Sequence, residues 1–274
     1  MPADLLATIA EQRRIRIAER RARFADGLPP RPPELLAPRR GAFRGALRRA
    51  TPADPLRLIA ELKKASPSKG VIREDFDVAT LARACRDGGA AALSVLTEPD
   101  WFQGAPEDLT LARRESGLPC LMKDFVVDAW QLDDAVSLGA DAVLLIVALL
   151  PIEGLSSLLR MGWARGLDAI VEVHNEAELD LALAAEANLV GVNNRDLTTF
   201  EVDPTLTLRL REKIPAGVVV VAESGIATPG DVTALARAGV DAALVGEAIM
   251  RREDVAAAVA ELAAAGAAGQ GGAR

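Results

Sequence analysis

Short apolar runs recur along the chain at 56–62, 91–96, 118–122, 142–147, 169–173, 189–192, 218–222 and 242–245. Their starts span 186 residues over seven intervals, about 27 each, which is room for one strand, one helix and two short loops. Four runs are approached through similar phrases, Gly89-Ala-Ala-Ala, Gly139-Ala-Asp-Ala, Gly166-Leu-Asp-Ala and Gly239-Val-Asp-Ala. A glycine there suits the residue just past a helix, so each phrase reads as helix end, tight turn and strand start. Between the runs, helical spacing of apolar residues covers 78–86, 129–138, 152–165, 176–185 and 229–238. The last of these opens on Thr228 as N-cap with Pro229 at the first helical position. Eight βα units predict an α/β fold, a closed (β/α)8 TIM barrel, rather than an open doubly wound sheet.

The barrel pattern occupies 51–262. Residues 1–50 predict a helical extension packed on it, and the Ala- and Gly-rich 263–274 predict a frayed tail. The extension holds twelve arginines against five acids, leaving −14 of the net −7 charge for the rest, so the two parts should attract. Its arginine-rich helix could be read as a nucleic-acid or membrane-surface element. The amphipathic alternative has Leu5, Leu6 and Ile9 lying on the acidic body with the arginines solvated or paired. A bend at Pro29-Pro30-Arg31-Pro32-Pro33 ends the helix after Gly27 and returns the chain to the barrel.

In a parallel barrel the carboxyl ends of the strands build the active site. Those exits carry Glu61 and Lys63, Thr97 and Glu98, Lys123, Glu172, Asn193, Glu223 and Gly246. Residues two apart share a face of a strand, so Glu61 points with Lys63, Ile170 with Glu172 and Val221 with Glu223. Buried charges are costly unless paired, so Lys63, Lys123, Glu61, Glu172 and Glu223 at one mouth predict a compensated ion network or a catalytic set. Two lysines facing one cavity depress each other's proton affinity while nearby carboxylates oppose that effect, a setting that predicts a lysine acid usable near neutral pH. The last exits, Ser224-Gly225 and Gly246-Glu247, are small and precede helix-compatible segments, where backbone N–H groups can hold an anion. With Ser66 and Lys69 in the first loop and Arg195 after the sixth strand, they predict a phosphorylated small substrate.

Composition narrows the chemistry. A 50% hydrophobic chain of 274 residues buries a sizeable core, and its longest apolar run, 142–152, is too short to span a bilayer of about 30 Å as a helix. A start without a signal layout and two separated cysteines, Cys85 and Cys120, predict a reduced, cytoplasmic protein. One histidine, His174, leaves no His-rich metal site, and nine aromatics without tyrosine argue against stacking on single-stranded nucleic acid. GxGxxG and GxxxxGK[ST] are both missing. His174 follows Glu172 by two residues where the strand ends, and is expected to be a loop or rim histidine without catalytic duty.

The segments ELKKASPSKG from Glu61, SVLTEPDWFQG from Ser94, LMKDF from Leu121, DDAVSLGADAVLLIV from Asp133, VEVHNEAEL from Val171, GVNNRDLTTF from Gly191, VAESGI from Val221 and LVGEAIM from Leu244 together resemble the indole-3-glycerol phosphate synthase family, over about residues 52–252. The resemblance implies ring closure of 1-(2-carboxyphenylamino)-1-deoxyribulose 5-phosphate with loss of carbon dioxide and water, without metal or organic cofactor. It also implies a helical segment ahead of the first strand, which weakens the nucleic-acid reading. By motif, Lys123 is implied as the general acid, Glu172 as its partner base or acid, and Lys63 as the group meeting the substrate carboxylate and assisting dehydration. Glu61, Asn193 and Glu223 would hold the lysines and the substrate hydroxyls. Ser66, Arg195, Ser224, Gly225 and Gly246 would bind substrate or its phosphate, and Phe102 and Phe125 would wall the anthranilate ring. Glu247 stands where some members have serine, so its side chain is expected to turn away from the phosphate. The alternatives are another phosphate-binding barrel such as phosphoribosylanthranilate isomerase, for which Cys120 is misplaced, or a non-catalytic binding protein using the basic arm. A monomer or weak homo-oligomer acting on a small molecule, with no nucleic-acid or membrane partner, is the expected state.

Overall fold

The computed structural model describes residues 5–33, 35, 40–51, 53–196 and 199–268. Eight parallel strands close a barrel: β1 (Arg57–Leu62), β2 (Ala92–Leu96), β3 (Cys120–Lys123), β4 (Ala142–Ile146), β5 (Asp168–Val173), β6 (Leu189–Asn193), β7 (Val219–Glu223) and β8 (Ala242–Val245). Each pairs with the next, and β1 pairs with β8, so the sheet has no edge. The four approach glycines all sit at positive φ, 91° at Gly89, 94° at Gly139, 83° at Gly166 and 78° at Gly239, a conformation that costs other residues more. Thr228 caps the helix Pro229–Arg237, accepting from Asp231 N–H while the Asp231 carboxylate takes the Thr228 N–H.

Strand alternation divides the core in two. Leu58, Ala60 and Leu62 of β1 pack outward under the helices, while Ile59 joins Ala92, Leu121, Ala142, Ile170, Leu189, Val219 and Ala242 inside the barrel. At the amino end this interior is closed by helix α2 (Ala42–Leu47), whose Phe43 and Leu47 are fully buried within it. Asp168, the first residue of β5, holds α2 by accepting the Gly41 and Arg44 N–H groups, both at 2.9 Å. With a plug at this end, the mouth formed by the described residues lies at the carboxyl end of the strands.

Helix α1 (Leu5–Arg23) lies beside that mouth, with Leu5, Ile9, Arg13 and Ile17 buried at every fourth position. Three of its arginines are spent on the barrel: Arg13 is bidentate to Asp124 at 2.6 Å, Arg16 to Asp100 and Arg20 to Asp134. The helix stops at Arg23, ahead of the expected break after Gly27, in a turn closed by Phe24 and Gly27 N–H groups. At the other terminus, the helix Val255–Ala268 continues past the expected barrel end at 262. Alanine is the best helix former, and Leu262 and Ala265 are buried, so six residues read as tail are helical. Residues 269–274 lie outside the described residues. Among the described residues, no helix is long and apolar enough to cross a membrane.

Candidate active site

The alternation that lines the lower barrel with Ile59, Ile170 and Val221 brings Glu61, Glu172 and Glu223 to its upper interior, two residues further along the same strands. Lys123 ends β3, Asn193 ends β6 and Lys63 follows β1. All six border one cavity of about 730 Å³ at the mouth, within the range of small-molecule sites. The loops add Ser66, Phe102 and Phe125, then Arg195, Ser224, Gly225 and Gly246, so every candidate residue meets the same space. Leu5, Leu6 and Ile9 of α1 border it from above.

Lys123 Nζ is 3.1 Å from Glu172 Oε2 and 3.2 Å from Glu223 Oε2, while Lys63 Nζ is 3.2 Å from Glu61 Oε2 and 5.5 Å from the Phe102 ring centroid. Asn193 Nδ2 donates to Glu172 Oε1 at 3.1 Å. Phe102 and Phe125 face each other with centroids 6.2 Å apart, leaving two aromatic surfaces beside the lysines. Two glycines make room for the carboxylates. A Cβ at Gly191, which pairs with Glu172 across the sheet, would overlap Glu223 Oε1, and one at Gly246 would come within 2.5 Å of Glu61 Oε2. Glu223 Oε1 is itself buried without a hydrogen-bond partner.

These contacts set the protonation. Burial alone would lower Lys123, but Glu172, Glu223 and Glu61 outweigh it and hold the ammonium above the ordinary lysine range. The expectation of a lysine poised near neutrality is therefore corrected: carboxylates outnumber lysines around Lys123. Glu172 is held below the usual carboxylate range, because Lys123, His174 and Asn193 overcome its burial. Glu223 is pushed up to about 7 by burial, against Lys123 and with help from Glu172.

At the far side of the cavity, Ser224 and Gly225 have φ of 64° and 75°, and the helix Glu247–Met250 starts after Gly246. A Cβ on Gly225 would press on Val202 at 2.5 Å. Glu247 turns its carboxylate to Arg251 Nε at 3.0 Å. Lys69 and Arg251 border the same region.

Sequence reasoning missed the clamp between α1 and the site. Asp124, next to Lys123, takes Arg13 and the Thr97 hydroxyl, the latter at 2.6 Å, and all three side chains are buried. The signal was there: an aspartate in LMKDF adjacent to the strand end, and an arginine on the apolar stripe of α1. Glu98 serves as a helix cap, accepting the Asp100, Trp101 and Phe102 N–H groups, which positions the Phe102 ring. Phe200, from the loop after β6, also borders the cavity.

His174 lies in the loop just past β5, as expected, with its side chain largely buried there. Its side chain is 9% exposed, with Nε2 3.1 Å from Glu172 Oε1 and Nδ1 3.0 Å from Glu178 Oε2. Alternation carries it back to the Glu172 face, and the first turn of the following helix brings Glu178 under it. Burial would lower its pKa, but the two carboxylates raise it to about 10. As the sole imidazole, it should titrate by NMR with a midpoint near 10, and a midpoint near 6.5 would disprove this ion triad. The raised folded value means that its stabilisation is complete below about pH 6.5 and is lost as pH climbs towards 10.

Comparison with known proteins agrees with this geometry. A model of the indole-3-glycerol phosphate synthase family matches residues 6–262. Indole-3-glycerol phosphate synthase of Rhizorhabdus wittichii is 46% identical over 262 residues, covering 95% of this chain and 98% of its own. That of Dechloromonas aromatica is 46% identical over 261 residues, covering 95% and 99%. Indole-3-glycerol phosphate synthase 2 of Ralstonia nicotianae is 47% identical over 223 residues, covering 81% and 83%. Among solved structures, thiamine phosphate pyrophosphorylase from Pyrococcus furiosus superposes with a TM-score of 0.59 at 21% identity, over 81% of this chain and 100% of that one, a likeness of fold alone. On the family match across nearly the whole chain and these full-length relatives, the chain belongs to the indole-3-glycerol phosphate synthase family, carboxy-lyases of tryptophan biosynthesis.

Proposed function

We propose that the mouth cavity closes the indole ring of 1-(2-carboxyphenylamino)-1-deoxyribulose 5-phosphate with Lys123 as the acid. The ring carbon bearing the carboxylate attacks the ribulose ketone carbon, and Lys123 Nζ delivers a proton to the ketone oxygen. Carbon dioxide leaves, its bonding electrons restoring the aromatic ring. The new hydroxyl then departs as water after protonation, while a base removes a proton from the methylene carbon to form the indole double bond. An alkoxide is far more basic than an amine, so a lysine held above its ordinary range still protonates it, and the charge matters as much as the proton.

What supports these roles is the convergence of two lysines and three glutamates on one cavity with an aromatic wall and a glycine-lined anion end. Lys63, between Glu61 and the Phe102 ring, meets the departing carboxylate and assists dehydration. Glu172 takes the base role, with Glu61, Asn193 and Glu223 holding lysines and substrate hydroxyls. Ser66, Arg195, Ser224, Gly225 and Gly246 bind substrate or its phosphate. The α1 arginines, engaged with Asp124, Asp100 and Asp134, support a substrate-side rather than nucleic-acid-side use of the arm. Cys120 begins β3 at the end of the barrel away from the mouth and is fully buried, which disfavours isomerase chemistry built on it.

Indole fluorescence should rise when the purified protein is mixed with the carboxyphenylamino substrate. A flat trace with authentic substrate would overturn the assignment.

A further inference from the structure

Glu172 and Glu223 are rival claimants to the base role. Both are buried at the mouth and both touch one ammonium, Lys123 Nζ lying 3.1 Å from Glu172 Oε2 and 3.2 Å from Glu223 Oε2. Once Lys123 has given its proton to the ketone oxygen, the two carboxyl groups face a neutral amine in one buried space. Two like charges repel strongly there, so one carboxyl takes up a proton and the other stays ionised. What else each of them touches decides which. Glu172 Oε1 has His174 Nε2 and Asn193 Nδ2 beside it, each at 3.1 Å, whereas Glu223 Oε1 is buried without a hydrogen-bond partner. His174 is braced in turn by Glu178, whose Oε2 lies 3.0 Å from Nδ1 and accepts the His174 backbone N–H at 2.8 Å. Asn175 fixes Glu178, accepting its N–H at 2.9 Å and donating Nδ2 to its Oε1 at 2.8 Å. A chain of contacts thus runs from the start of the helix Glu176–Ala184 inward to the base.

We propose that His174 is a positioning residue that assigns the base role to Glu172: its imidazolium, braced by Glu178, keeps the Glu172 carboxylate ionised, with Oε2 towards the reacting groups, while Lys123 is neutral. The inference rests on the ring-closure reading. Glu223 is then the member of the pair that binds a proton, and it releases that proton when the ammonium returns. Glu172 Oε2 removes the methylene proton, and the C–H electron pair becomes the new double bond as the C–OH bond breaks. The abstracted proton passes to Lys123 Nζ, 3.1 Å away, and restores the ammonium. Lys63 gives the proton with which the hydroxyl leaves as water and takes its replacement from solvent. One proton therefore enters per turnover, and the imidazolium keeps its own throughout.

Two observations favour a role for charge over one of packing alone. His174 Nε2 is buried 3.1 Å from Glu172 Oε1 without an aligned hydrogen bond, so what it gives Glu172 is chiefly charge, at a place water does not screen. The two carboxyls are also already unequal. Burial pushes Glu223 up to about 7, whereas at Glu172 burial is overcome by Lys123, His174 and Asn193, which hold it below the usual range. The charged groups facing Glu172 are Lys123 from β3, Glu223 from β7 and His174. Those facing the imidazole are Glu172 and Glu178, and in the outer groove it borders, Glu176 is paired with Lys213 and Asp203 with Arg209. With Lys123 neutral, His174 is the cation left at ion-pair distance from Glu172 among the described residues.

The test compares His174→Asn with the parent across pH. Without the imidazolium the two carboxyls compete for one proton, so kcat relative to the parent should fall about 10-fold or more at about pH 6. At about pH 8.5, where both carboxyls can ionise again, it should return to within about two-fold, with KM little changed throughout. Substrate deuterated at the methylene carbon should slow the variant at the lower pH by a larger factor than it slows the parent, because that proton transfer has become limiting. The same relative loss at both pH values would make His174 a strut, and an unchanged kcat at the lower pH, or an isotope effect no larger than the parent's, would likewise overturn the proposal. The parent alone supplies a further check. By NMR its sole imidazole should stay charged from about pH 6 to about pH 8.5, with and without bound indole product, and a neutral ring in that range would overturn the proposal even if the variant does not fold. A parent protein that makes no indole product at all would instead sink the ring-closure reading.

Discussion

Lys123→Met is expected to lose at least about 10²- to 10⁴-fold in ring closure, the span typical for removing a positioned acid, with electrostatic stabilisation of the oxyanion lost as well. The same change leaves Glu172 and Glu223 facing each other without their shared cation. Breaking a buried pair on one side costs about 3–5 kcal/mol, a large part of an ordinary stability of about 5–15 kcal/mol. Glu223 offers relief, since its pKa of about 7 will move higher still and let it keep a proton. A carboxyl with a raised folded pKa binds its proton more tightly in the native state, so the variant should lose stability as pH rises from about 5 through 8, where the parent changes less. Lys123→Arg separates the effects. The guanidinium supplies charge and should recover much of the stability, yet it keeps its proton, so turnover should stay lost. Near-normal turnover in either variant would remove Lys123 from the acid role.

At the other end of the barrel, Phe43→Ala should cost about 3–5 kcal/mol, the range for emptying a fully buried phenylalanine site. For a domain of this size that corresponds to a fall in Tm of roughly 10 °C by thermal unfolding. Phe43 packs in the barrel interior, in the helix whose backbone Asp168 holds at the start of β5, whereas Lys123 and Glu172 belong to strand ends at the mouth. Activity well below the transition should therefore match the parent. A Tm shift under about 2 °C would mean that α2 does not plug the barrel, and an equal loss of activity would mean that the two ends are not independent.

The strands and the mouth were readable because one rule governs both. A period of two placed Glu61 above Ile59 and Glu172 above Ile170, so apolar floor and charged site came from the same pattern. The features that were not readable have no period. The antiparallel hairpin of Ala65–Ser66 with Gly70–Val71 has two-residue strands. The plug α2 has six residues, and its importance lies in what it fills. Arg13 and Asp124 are 111 positions apart, and neither flank names the other. The depth of His174 in its loop was not readable, because its burial depends on Glu178, a residue that reads equally well as part of a solvated helix start. The proton affinity of Lys123 was misjudged by giving the second lysine more weight than the three glutamates that oppose it.

The arm's three bidentate ion pairs to the barrel will not respond alike to brine. Arg16 is 47% exposed, so ions within a few ångströms screen its attraction for Asp100, whereas Arg13 and Asp124, at 6% and 1%, are reached by almost none. Raising ionic strength should loosen the outer flank of α1 while its anchorage beside Lys123 persists. An arginine-rich segment that looks salt-labile on paper thereby becomes a halotolerant cover, fastened at its driest point.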